Sequence, residues 1–114
     1  MELTADLVEA LVARLFPAEA HEAAARVLAG YGTRTHEREA IRVRVAALKL
    51  SEGSLERLRD LIAHAQRDYR DVLAWAEYPE EMRILTWRLP TAEQARIRAA
   101  DRAQYLAWLA AHTG

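Results

Sequence analysis

Apolar residues recur along this chain at three-to-four spacing, and that pattern predicts helix nearly throughout. The first stripe is Leu7, Val8, Leu11, Val12, Leu15 and Phe16, on a helix that should start near Thr4. Pro17 can open a second helix in its first turn, where a missing N–H is harmless. That helix is alanine-rich through Ala23, Ala24 and Ala25, and Gly30 is its expected stop. The first two helices should therefore form an antiparallel hairpin. Further on, Ile41-Arg42-Val43-Arg44-Val45 alternates like a half-buried strand. Its continuation into Ala46, Ala47 and Leu48 fits Ile41 and Val45 at helical spacing, and Val43, Ala47 and Leu50 form an adjoining row. The expectation is a helix buried across a wide arc.

Ser54 is the predicted N-cap of a helix carrying Leu55, Leu58, Leu61, Ile62 and Ala65. Asp68 should cap another, short helix over about Tyr69–Glu77, with Asp71 at the capping-box position and Pro79 as the terminator. Leu85, Trp87 and Leu89 fit either a short connecting helix or an irregular apolar bridge. Thr91 and Gln94 then read as a capping box opening a last helix from Ala92 to about Ala110. These elements predict an all-α fold: a single helical domain over residues 1–114, built as a bundle of five to six helices.

Composition narrows the chemistry. The 114 residues are 52% hydrophobic and 29% charged, the balance of a folded domain rather than a disordered chain. No cysteine is present, which excludes disulfides, thiolate catalysis and cysteine zinc sites. The acidic start MELTADL argues against a cleaved signal peptide. The longest apolar run, Tyr105–Ala111, is far too short to span a bilayer, so the expectation is a cytoplasmic protein with no membrane partner. Net charge is only −1, yet the charges fall in blocks. Residues 1–22 hold five acids against Arg14, and Asp68–Glu81 holds five against Arg70. Arg34–Lys49 holds five bases against Glu37 and Glu39, and Arg83–Arg102 holds five against Glu93 and Asp101. Such blocks can complement one another within one chain or across a homodimer.

Motif by motif, catalysis finds little. His21-Glu22 begins like the zinc-protease HExxH signature, but the closing position is Ala25. The residues three before the four histidines are Ala18, Thr33, Leu61 and Leu109, so no Glu-x-x-His di-iron pair exists. Neither metal nor cofactor is expected. Asp60 and His64 lie one helical turn apart, an ion pair more simply than a two-ligand fragment. Ser51 and Ser54 sit where a helix break explains them, and Gly30-Tyr31-Gly32 reads as a turn rather than a phosphate loop.

Two surfaces remain. In DYRDVLAWAEYPEEM, residues 68–82, helical phasing sends Tyr69, Val72, Leu73 and Ala76 to the core. It leaves Asp71, Trp75 and Tyr78 on a second face, with Glu77 beside them. Trp and Tyr next to carboxylates suit a protein partner or self-association. The alternative is a nucleic-acid surface on the basic stretch, with Arg38, Arg42 and Lys49 on one side of a helix, Arg34 before it and Arg44 on the flank.

The segments AALKLSEGSLERL, DYRDVLAWAEYPEEM and DRAQYLAWL together resemble a small bacterial all-helical family of uncharacterised proteins, over about residues 36–110. The resemblance implies a compact cytoplasmic helical protein and brings no activity, cofactor or catalytic residue. The leading expectation is thus a non-enzymatic interaction or regulatory module acting through Asp71, Trp75, Glu77 and Tyr78. Nucleic-acid binding through Arg34, Arg38, Arg42 and Arg44 is second. A small enzyme using Asp60/His64 or the acidic cluster is third.

Overall fold

Thr4 opens the first helix as its spacing suggests, its Oγ1 accepting a hydrogen bond from the Leu7 N–H at 3.2 Å. The computed structural model describes residues 2–84 and 86–113. In chain order the helices are α1 (Ala5–Leu15), α2 (His21–Leu28), α3 (Ala40–Ser51), α4 (Leu55–Glu77), α5 (Pro79–Arg83) and α6 (Thr91–Thr113). Short 3₁₀ turns occupy Ala18–Ala20 and Thr86–Arg88. The fold is all-α, and no strand occurs among the described residues.

α3 forms the centre. Val43, Val45, Ala46, Ala47 and Leu48 are fully buried, so the alternating stretch is a helix covered over most of its circumference. It lies chiefly against α4, with α1 on another side. The α4 stripe of Leu58, Ile62, Ala65, Val72, Leu73 and Ala76 supplies the facing wall. Each leucine, isoleucine or valine among them contributes about 2 kcal/mol of transfer free energy when buried, and each alanine less. Ser54 caps α4 by accepting from the Arg57 N–H at 3.2 Å, and Pro79 stands at the first turn of α5 just after α4 ends.

Four boundaries differ from expectation, each for a local reason. Pro17 is extended (φ −65°, ψ 156°) and precedes a 3₁₀ turn, so α2 starts only at His21, whose Nε2 donates to the Phe16 carbonyl at 2.7 Å. The left-handed residue after α2 is Gly32 (φ 100°) rather than Gly30, and a Cβ there would meet that of Ala40 at 2.6 Å. Asp68 kinks α4 instead of separating two helices. Its backbone is extended (φ −153°, ψ 97°) and its Oδ1 accepts from the Arg70 N–H at 3.1 Å, so the capping chemistry operates inside one long helix. Finally, Thr91 is already helical, and the Gln94 amide donates to the Leu89 carbonyl at 2.8 Å rather than closing a capping box.

The molecule measures 48 × 32 × 24 Å with a radius of gyration of 14.7 Å, above the roughly 13 Å of a compact chain this long. α4 and α6 are its longest helices, at 23 residues each. In α6, only Asp101, Tyr105 and Leu109 are buried.

Candidate binding cleft and apolar surface

Two residues assigned by sequence to rival surfaces turn out to be each other's partners. Arg42 of α3 grips Glu77 of α4 in a two-pronged ion pair, Nε to Oε2 at 2.8 Å and Nη2 to Oε1 at 2.5 Å. The Glu77 side chain is 9% exposed and that of Arg42 36%. Hydrogen bonding to Glu77 holds the Arg42 guanidinium well above its ordinary pKa, against the opposing effect of burial. Glu77 is therefore a core anchor rather than an acid offered to a partner. Arg42 is likewise tied to Glu77.

Elsewhere in the basic stretch Arg44 is engaged as well. Arg44 donates Nε and Nη2 to the Tyr31 carbonyl at 3.0 and 2.6 Å. Burial lowers the Lys49 pKa, and its ammonium lies 6.0 Å over the Tyr105 ring. Arg34 and Arg38 belong to the loop before α3, not to a helical face. In that loop Glu37 Oε1 accepts from the N–H groups of Gly32, Thr33 and Arg34 at 2.9, 3.0 and 3.1 Å. Burial pushes the Glu37 carboxyl up, but these three donors outweigh it and the net pKa is lowered. The chain's own carboxylate thus fills a nest of amides that suits an anion.

On α4, His64 Nε2 pairs with Asp71 Oδ2 at 2.9 Å across the Asp68 kink, and the His64 ring lies 4.8 Å from that of Trp75. The predicted Asp60–His64 pair does not form; the kink brings in Asp71 instead. Asp71 is thereby engaged within the chain, while Trp75 stays 37% exposed. No group of three or more His, Asp or Glu that could hold a metal ion occurs among the described residues. Nor is any helix among them long and apolar enough to cross a membrane.

Tyr78, the fourth predicted interaction residue, is half-buried on the wall of a cleft of about 230 Å³. Leu3, Arg42, Glu77 and Tyr78 face Arg102, Tyr105, Leu106 and Leu109 of α6 across it. Tyr105 is 8% exposed, and its hydroxyl has no hydrogen-bond partner among the described residues. Burial drives the phenol pKa up, Glu77 adds to the rise and Arg42 opposes it, so the hydroxyl keeps its proton at neutral pH. Arg102 lies on the rim and makes no ion pair within 4 Å among the described residues.

Sequence reasoning placed Tyr105 on a helix face but had no signal for its unpartnered hydroxyl. It also missed Asp101, which is 1% exposed and caps α5 from the neighbouring helix, its two oxygens accepting from the Glu80 and Glu81 N–H groups at 3.1 Å each. Trp87, expected with Leu85 and Leu89 in a short connecting helix or an irregular apolar bridge, lies in the Thr86–Arg88 3₁₀ turn and is 69% exposed under the Arg88 guanidinium, and Met82 on α5 is 51% exposed. Leu85 lies outside the described residues. Comparison with models of protein families, with curated proteins and with solved structures found no match for this chain, so its site is read from geometry alone.

Proposed function

We propose that the protein is a non-catalytic helical interaction module that self-associates through the outer face of α5 and α6. The observation that carries this reading is the exposure of Met82, Trp87 and Leu106 around a helix that buries so little of itself. Large apolar side chains left in water next to an under-used helix mark a contact surface. Ala92, Ala95, Ala99, Ala103, Leu106 and Ala110 follow helical spacing along the exposed side of α6. Their small side chains let a second helix approach closely, and a two-fold copy would meet this row with its own. Within the Asp71–Tyr78 surface, Trp75 on α4 stays 37% exposed. Asp71 and Glu77 serve the chain itself.

A Met82→Ala, Trp87→Ala double variant tests the reading. Neither side chain is buried, so helical content by circular dichroism is expected to stay unchanged while the associated species disappears from sedimentation velocity profiles. An unchanged sedimentation profile in the folded variant would remove this surface from the interface.

A further inference from the structure

The cleft between the Arg42–Glu77 ion pair and α6 has the makings of a ligand site that shares Leu106 with the self-association surface. Its charge balance is two guanidinium groups, Arg42 and Arg102, against the single Glu77 carboxylate. One positive charge is left over, and it belongs to Arg102, because Arg42 and Glu77 satisfy each other. A buried hydroxyl donor without an acceptor is costly, and Tyr105, which lines the same cleft, carries one that is shut off from solvent. Leu3 on one side and Leu106 and Leu109 on the α6 side add apolar lining. At about 230 Å³ the space falls below the roughly 300 Å³ where drug-sized ligand pockets begin. We propose that this cleft binds a small organic monocarboxylate, one oxygen accepting from the Tyr105 hydroxyl, the charge paired with Arg102, and the short apolar body against Leu106 and Leu109. A monoanion brings the cleft to neutrality and supplies the acceptor that Tyr105 lacks. A dianion would overshoot beside Glu77, and a neutral amide would leave Arg102 without a counter-charge.

The test is an NMR titration of the full chain with sodium benzoate and sodium butyrate at constant ionic strength, with benzamide as the neutral control. Saturable shifts are expected at the Arg102 Nε–Hε and at the Leu106 and Leu109 methyls, with no saturation by benzamide. Tyr105→Phe removes one oxygen from an otherwise unchanged ring, and Arg102→Gln removes an exposed charge, so both variants should keep the wild-type spectrum of the core. Each is expected to weaken carboxylate binding about tenfold, the equivalent of one charge-assisted hydrogen bond. Three results would overturn the proposal. They are the absence of saturable shifts up to ~20 mM carboxylate, equal affinity in folded Tyr105→Phe or Arg102→Gln, and equal binding of benzamide.

Discussion

Glu77 and Tyr105 face the same cleft with opposite consequences for stability. Glu77 has both oxygens held by Arg42 in a largely buried pair, so removing its charge strands a guanidinium. Glu77→Gln is expected to cost about 2 kcal/mol in chemical denaturation, less than a fully buried pair because Arg42 is one-third exposed. Tyr105→Phe, by contrast, deletes a buried hydroxyl that no described residue satisfies. It should raise stability by about 1 kcal/mol in the same assay, and a loss would show that the hydroxyl has a partner in the folded protein. Neither role is visible in the sequence. Arg42 and Glu77 lie 35 positions apart, and only the packing of α3 on α4 makes them neighbours. Helical phasing did put Val72, Leu73 and Ala76 on a core stripe and Trp75 on a different one, because that depends on local geometry alone, but it left open whether Trp75 is buried.

Elements show the same division. Thr4, Ser54 and Pro79 act within a turn of their own position, and each marks the boundary its residue type implies. α5 is different: five residues are too few to hold a helix unaided, and its N-terminal amides are satisfied from α6 by Asp101. Asp101→Ala is expected to destabilise the fold by about 2 kcal/mol and to accelerate hydrogen exchange at Glu80 and Glu81 before the α3 amides. Uniform protection across both would contradict the capping role. The loop before α3 depends on pH in a defined direction. The folded pKa of Glu37 lies below its ordinary 4.5, so its contribution is complete above the unfolded value and is lost as pH falls through the folded one. Amides of Gly32, Thr33 and Arg34 should therefore lose protection in acid, and Glu37→Gln should remove that pH dependence. Sequence reading treated Gly30-Tyr31-Gly32 as a plain turn, because the carboxylate that organises it comes from farther along the loop.

At the scale of the molecule, the acids of the Asp68–Glu81 block are paired within the fold, whereas of the acids in residues 1–22 only Glu22 has a basic partner among the described residues. Arg42 meets Glu77, Arg83 meets Glu80, and Arg98 meets Glu81. The fold also leaves large apolar side chains exposed, Trp75, Met82, Trp87 and Leu106, with a small-residue row along α6. An amphipathic pattern cannot disclose this, since the same alanines would serve a buried helix equally well. Self-association is accordingly the central claim, and the mass of the full chain in solution tests it most directly. Sedimentation equilibrium at about 100 μM should give twice the 12.9 kDa of one chain, falling to a single chain mass in the Met82→Ala, Trp87→Ala variant. A wild-type mass of 12.9 kDa at every concentration up to that level would contradict it.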